Sequence, residues 1–402
     1  MHATALSIAD KQTSESPGWL SSQQKERISV CHVIDGGVWA GAEAQVATLL
    51  RALSTCPEVS LHAIVLHEGR LAQKLRTFGV AVRVVEPQRS LPRVIAECSR
   101  FLEGRNIQIL HSHNYKENLI AVSLSRICKV PHLVRTEHGH PEPYSKFRNL
   151  KHWAVLAADR LAARCMAARI VSVSSDLGEF WRRHADPKNV TILPNGVDLD
   201  SVNSSFSPGE AKQRLGMQSD SFVVGIAARL ERIKRHDLFL ATARDLAANI
   251  PGSQFVIAGS GREEESLRRL ILESGLQNRV ALLGDRNDVY DVLRAMDILL
   301  ICSDHEGIPM VMLEAMALGV AVVSRNVGGI SEVIRNGING ILVPSDSPED
   351  LGRACMSIFQ NPRLLADLRL AAHHQIQRQY SAEKNAHTVL ELYQSICRQA
   401  VQ

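Results

Sequence analysis

Ser303-Asp304-His305-Glu306-Gly307-Ile308-Pro309-Met310-Val311-Met312-Leu313-Glu314-Ala315-Met316-Ala317-Leu318-Gly319 is the stretch on which the fold turns. The apolar run before it, Ile298 to Cys302, reads as a buried parallel strand. Gly307 and Pro309 break that strand and open a helix, with Pro309 near the first turn, and Gly319 closes it. A strand, a glycine turn and a helix N-terminus make an anion site, because free N–H groups and the helix dipole point at the turn. Glu306 lies in the turn. Glu314 lies about two turns into a helix otherwise made of Met, Val, Leu and Ala. A carboxylate on so apolar a helix must find donors or shift its pKa, and sugar hydroxyls are suitable donors. Taken alone, the two glutamates favour the plainer reading, Glu306 as a solvated turn residue and Glu314 as a carboxylate satisfied by nearby backbone.

Outward from this point the chain alternates short β-rich runs with helical stretches. Strands are predicted at 28–34, 61–66, 80–85, 107–111, 132–136, 170–173 and 190–193. A second series follows at 222–227, 254–258, 280–283, 297–301 and 321–324. Helical patterns such as 42–53 and 116–127 lie between. Such alternation predicts parallel sheets covered on both faces. The turn Pro194-Asn195-Gly196-Val197-Asp198 and the polar stretch after it form the junction of two doubly wound domains. A ligand cleft is then expected between the carboxyl ends of the two sheets. The stretch 382–398 is an amphipathic helix.

A chain of 402 residues is too long for one ordinary core. The net charge of +4 gives no reason to expect nucleic acid as a partner. Eight cysteines are scattered without a Cys-x-x-Cys pair, as in a cytoplasmic protein with reduced thiols and no zinc site. Residues 1–27 are polar, lack the apolar stretch of a signal peptide and read as a disordered lead-in. No run of 18 apolar residues predicts a membrane-spanning helix.

Further strings stand where strands end. Asp35-Gly36-Gly37-Val38-Trp39-Ala40-Gly41 is a glycine loop that suits a phosphate or merely a tight turn. His111-Ser112-His113 and Thr136-Glu137-His138-Gly139 end two neighbouring strands. For His111 we favour a hydrogen-bonded core role. No metal is expected, since the His and Glu residues lack helical ligand spacing. Arg229 and Lys234 follow the strand that ends at Ala227. Gly259 follows the next strand. Asp198-Leu199-Asp200 spells a metal-binding Asp-x-Asp but sits in the junction turn, so we discount it. Lys146, Arg148 and Lys151 lie on a basic amphipathic segment. It reads as a solvated face, with an anionic membrane surface as the functional alternative.

Together these strings resemble the retaining glycosyltransferases of the GT-B fold, in particular glycosyltransferase family 4. The resemblance rests on Glu306 and Glu314 with seven residues between them, on the Glu-Gly-x-Pro turn and on Glu314-Ala315-Met316-Ala317. It also rests on the Arg-x4-Lys pair Arg229 and Lys234, on the His-Gly at His138, and on Gly328-Gly329-Ile330-Ser331-Glu332, which we take as mainly structural. Two departures stand out: the family often has two adjacent glycines before Ala-Glu, where this chain has Ala40-Gly41, and a glycine where Arg235 stands.

The resemblance implies an α/β protein of GT-B fold, with two Rossmann-like doubly wound parallel-sheet domains facing a central cleft. Residues 28–198 would form the acceptor-binding domain and 199–381 the nucleotide-sugar domain. Residues 382–402 would form a helix crossing back to the first. The implied function is retaining, metal-independent transfer of a sugar from a nucleotide-sugar, a UDP-sugar ahead of a GDP-sugar, without a cofactor. The acceptor would be a saccharide or a lipid-linked saccharide in surface polysaccharide synthesis. The protein would be cytoplasmic, with peripheral membrane contact through the basic segment. Arg229 and Lys234 would hold the diphosphate, Glu314 the ribose, and Glu306 the sugar hydroxyls with the backbone of Gly307, Ile308 and Pro309. His138 would contact the sugar, His113 would line the acceptor side, and Gly37, Gly41 and Gly259 would border the donor. A GT-B epimerase or phosphorylase is the alternative. A dinucleotide-dependent oxidoreductase lacks its Gly-x-Gly-x-x-Gly start here.

Overall fold

The structure, a computed structural model, describes residues 27–86, 88, 90–139, 157, 159, 161 and 168–399. The basic segment with Lys146, Arg148 and Lys151 lies outside the described residues, as does nearly all of the predicted lead-in. Seven strands make the first sheet: β1 (Ile28–Ile34), β2 (Val59–Val65), β3 (Ala81–Val84), β4 (Ile109–His113), β5 (His132–Glu137), β6 (Arg169–Ser172) and β7 (Val190–Ile192). Six make the second: β8 (Val223–Ala227), β9 (Gln254–Ala258), β10 (Val280–Gly284), β11 (Ile298–Ile301), β12 (Ala321–Arg325) and β13 (Ile341–Val343). Their orders are β3-β2-β1-β4-β5-β6-β7 and β10-β9-β8-β11-β12-β13. Every neighbouring pair is parallel. These are two doubly wound α/β units, the architecture the resemblance implies.

The strands are apolar on both faces because helices cover both. In β1, Cys31 and Val33 pack toward the helices Leu91–Leu102 and Tyr115–Cys128, while Val30 and Ile34 face the helix Gly41–Ser54. The second sheet is likewise sandwiched between two apolar clusters. The helix Ala382–Gln399 leaves the second unit and packs on the first. Ala386, Val389, Leu390, Tyr393 and Ile396 recur at helical spacing and bury against Ile28, Val30, Leu49 and Leu53. Each large side chain so buried contributes about 1.5–3 kcal/mol.

Three expectations shift. The strand predicted at 107–111 runs over Ile109–His113, because buried partners satisfy its polar end. β13 was not predicted, since three residues show no period. The helix after Pro309 spans only Met310–Ala317, so Glu314 is its fifth residue, one turn in and not two. The seven described cysteines are free. Among the described residues no helix is long and apolar enough to cross a membrane.

Candidate functional site

Strand order reverses between β1 and β4 in the first sheet and between β8 and β11 in the second. A doubly wound sheet opens a crevice beyond the carboxyl ends of such strands. The expected residues lie at the carboxyl ends of β1, β4, β5, β8, β9 and β11: His113 is the last residue of β4, Gly41 opens the helix after β1, Glu314 lies one turn into the helix that the β11 loop opens, and the others lie in the loops between.

The two units touch at this crevice. A Cβ on Gly307 would lie 2.6 Å from the His138 carbonyl oxygen. Gly328, at φ +52°, lies against the Glu306 carbonyl, where no side chain fits. Glu332 accepts from the Ser175 N–H at 2.7 Å and from its hydroxyl at 3.0 Å, across the two units. Asn195 donates to the Ile308 carbonyl at 2.8 Å. The side chain of Ile308 itself is buried in the second core, so only its backbone borders the turn. The Gly-Gly-x-x-Glu motif is therefore structural in a particular sense: it clasps one unit to the other.

Lys234 Nζ donates to Glu306 Oε1 at 2.6 Å, and so does Ser303 Oγ at 2.6 Å. The strand order joins these two loops, which are 72 residues apart in sequence. Arg229 is half-buried in the same loop as Lys234. Its charge partly offsets the rise in the Glu43 carboxyl, which burial chiefly pushes up to about 7. Arg235 does not join the pair. It takes a left-handed φ of +51°, which explains the family's usual glycine, and its guanidinium binds Asp237 and Asp304.

Glu314 is 9% exposed, and burial pushes its carboxyl up to about 7. A hydrogen bond from Tyr290 and the charges of Arg70 and Lys74 pull the other way. Tyr290 belongs to the second unit. Arg70 and Lys74 come from the helix Arg70–Thr77 of the first and lie over the Trp39 ring, 4.4 and 5.3 Å from its centroid. The sequence reading missed all three, and also Glu43, whose carboxylate accepts from the Ala40 N–H. The signal for Glu43 was legible, as an acid at the third position of a helix, three past its N-cap Ala40. Nothing local marks Tyr290, Arg70 or Lys74.

Two expected residues have partners that the sequence did not suggest. Gly37 gives its N–H to the Asp35 carboxylate at 2.9 Å, so that donor is not free for a phosphate. Gly41 opens its helix with nothing near its Cβ position and keeps the open approach. His113 does not line an acceptor wall. It is 1% exposed and its two ring nitrogens meet His32 at 3.0 Å and His138 at 3.1 Å. Gly259 follows β9, packed on the Ala228 carbonyl. His111 sits in the core, bonded to Tyr393 at 2.6 Å and Thr136 at 2.7 Å, in line with its sequence reading.

His32, His111 and His113 bring ligand atoms within 4.8 Å of one another. Each of the three already has hydrogen-bond partners within the protein: His113 meets His32 at 3.0 Å, and the two nitrogens of His111 meet Tyr393 and Thr136. Asp198 is taken by Arg51 and Ser201, while Asp200 is exposed.

The family profile described as Glycosyltransferase Family 4 matches residues 39–201, and that described as Glycosyl transferases group 1 matches 209–375. The chain is 26% identical over 303 residues to an Escherichia coli UDP-Gal:alpha-D-GlcNAc-diphosphoundecaprenol alpha-1,3-galactosyltransferase, covering 73% of this chain and 77% of that one. It is 30% identical over 239 residues to a D-inositol 3-phosphate glycosyltransferase of Rhodococcus jostii, covering 56% of this chain and 52% of that one. Anabaena HepE, solved in complex with UDP-glucose, superposes with a TM-score of 0.81 at 20% identity, over 92% of this chain and all of that one. WaaG, a glycosyltransferase involved in lipopolysaccharide biosynthesis, superposes at 0.71 and 15% identity, over 90% and 99%. Two parallel-sheet units, the crevice between their switch points and two adjoining profile matches agree: the chain belongs to the group 1 glycosyltransferases and has the GT-B fold.

Proposed function

We propose that this protein transfers a sugar from a UDP-sugar to a saccharide or lipid-linked saccharide, retaining the configuration at the anomeric carbon. The observation that carries this reading is the Lys234–Glu306–Ser303 cluster at one side of the crevice, with the buried Glu314 beyond it. Arg229 and Lys234 are the cations that neutralise the departing diphosphate. Glu306 accepts from Lys234, and a bound donor redistributes that contact. Glu306 then takes sugar hydroxyls, with the backbone of Gly307 and Pro309 bordering them. Glu314 accepts from the ribose hydroxyls, and Gly41 lets the diphosphate approach the first unit. Retention follows if the acceptor attacks from the side the diphosphate leaves. The C1–O bond to phosphate breaks as the C1–O bond to the acceptor forms on the same face. The acceptor's proton passes to a departing phosphate oxygen. A UDP-sugar is supported by the UDP-Gal relative and by the UDP-glucose complex of the HepE neighbour, and a lipid-linked acceptor by the diphosphoundecaprenol in the relative's name.

The test is a panel of UDP-, GDP- and ADP-sugars, scored first by thermal shift, because a ligand that binds only the folded state raises its stability. The stabilising donor is then incubated with saccharide and lipid-linked acceptors, and the product anomer is read by NMR. We expect UDP-sugars to stabilise and an axial donor to give an axial product. UDP release that needs no acceptor, or an inverted product, would refute the proposal.

A further inference from the structure

A ribbon of imidazoles runs from the C-terminal helix to the crevice, and the motifs above leave it unexplained. His32 Nδ1 meets His113 Nε2 at 3.0 Å, and His113 Nδ1 meets His138 Nε2 at 3.1 Å. The rings of each pair are within 14° and 27° of parallel, with centroids 5.3 and 5.4 Å apart. Near-parallel rings so far apart, with nitrogens so close, meet end to end, as a hydrogen bond along the lone pair requires. Beyond His32, its Nε2 lies 3.3 Å from the Tyr393 hydroxyl, which also lies 2.6 Å from His111 Nδ1. His111 Nε2 then meets Thr136 Oγ1 at 2.7 Å. His138 Nδ1 is left: it is buried and, among the described residues, without a partner.

Each ring carries one proton. Burial holds His32 down near 3 and His138 near 4, and it holds His111 and His113 well below the ordinary value. A neutral imidazole donates from one nitrogen and accepts at the other, so one choice fixes the whole ribbon. Tyr393 has one proton, and the nearer nitrogen, on His111, takes it. Its oxygen therefore accepts from His32 Nε2–H. His32 Nδ1 must then accept from His113 Nε2–H, and His113 Nδ1 must accept from His138 Nε2–H.

We propose that Tyr393, His32 and His113 are positioning residues that lock His138 as its Nε2-protonated tautomer, so that a bare Nδ1 lone pair accepts a hydroxyl of the donor sugar. This rests on the sugar-contact reading of His138 and adds a specificity to it: the sugar position at His138 must carry a hydrogen-bond donor. It also lets the last helix, which supplies Tyr393, act on the crevice through His32 and His113 without touching the substrate.

The test uses the full chain with isotopically labelled histidine. Nitrogen NMR reads which ring nitrogen of His138 is protonated, with the His138→Ala spectrum giving the assignment. We expect Nε2 protonated and Nδ1 bare in the parent, and a mixture in Tyr393→Phe. Tyr393→Phe should lose roughly tenfold or more in kcat with donor KM little changed. His113→Asn, which keeps an acceptor where His113 Nδ1 stood, should retain activity that His113→Leu loses. A donor deoxygenated at the contacted position should gain nothing from an intact ribbon. A parent protein protonated at His138 Nδ1 overturns the proposal, whatever the variants do. So does a Tyr393→Phe protein with parental kcat and an unchanged spectrum. If His138→Ala transfers sugar at the parental rate, the sugar-contact reading fails by itself, since the spectrum reports the tautomer independently of turnover.

Discussion

Glu314→Gln should stabilise the empty protein and weaken its hold on the nucleotide. The carboxyl is 9% exposed and burial raises it from the ordinary 4.5 to about 7. A tenfold change in an ionisation constant is about 1.4 kcal/mol, so holding this group ionised costs roughly 3 kcal/mol at most. The folded value lies above the unfolded one. The cost is therefore absent below about pH 4.5, grows as pH rises between the two values and is complete above about pH 7. Gln never carries the charge and escapes the cost, while its amide still accepts from Tyr290. After water entry and side-chain relaxation we expect about 1–2 kcal/mol of added stability at about pH 8 and almost none at about pH 5. Urea unfolding of parent and variant at both pH values reads this difference, and other titrating groups cancel because both proteins share them. Calorimetry with UDP reads the other half. Loss of charge-assisted bonds from the ribose, about 1.5–3 kcal/mol each, should weaken UDP at least tenfold. A variant equally stable relative to the parent at both pH values would refute the burial argument, and an unchanged UDP affinity would refute the ribose assignment.

Lys234→Ala and Arg229→Ala should each lower turnover by roughly a hundredfold, about 3 kcal/mol in the transition state, with nucleoside binding little affected. Near-normal turnover in stopped assays would remove them from the diphosphate. Glu306→Gln should spare UDP binding in calorimetry and cut transfer at least tenfold; UDP binding weakened as much as in Glu314→Gln would mean the ribose and sugar roles are exchanged. Transfer should continue in the presence of a divalent-metal chelator, and activity lost to it and restored by manganese would reinstate Asp198 and Asp200 as ligands. Replacing Lys146, Arg148 and Lys151 by Glu should abolish sedimentation with anionic vesicles, since each basic residue near such a surface contributes about 1 kcal/mol; unchanged sedimentation would remove the membrane from the proposal.

Local chemistry made most of the fold legible. β1 and β9 fall on their predicted residues, because continuous apolar runs bounded by turn residues leave little choice. β4 slid by two residues because His111 and His113 look polar in sequence. Only partners from distant parts of the chain, Tyr393 and His32 among them, make them fit for a buried strand. The site divides in the same way. Lys234 and Glu306 were visible because motifs carry them, and strand pairing brought them together. Arg70, Lys74 and Tyr290 were invisible: each acts on Glu314 through tertiary approach, and no spacing near Glu314 encodes that. The partner of the Gly37 N–H was also not foreseen: a glycine turn announces room for an anion without announcing that the Asp35 carboxylate takes this N–H.

The polypeptide passes between the two units twice, once near Val197 and once near Ser381, and the passages lie side by side. Val197 N–H donates to the Tyr380 carbonyl at 2.7 Å, and Ala382 N–H donates to the Val197 carbonyl at 2.9 Å. Two paired tethers behave as a door hinge. They permit swing about the line joining them and resist sliding, stretching and twisting. The Glu332–Ser175 clasp lies close to this hinge, since the Tyr380 hydroxyl donates to the Glu332 carbonyl at 3.3 Å. Proteolysis confined to one tether would leave the door hung, whereas cutting both would leave the halves joined by non-covalent contacts alone.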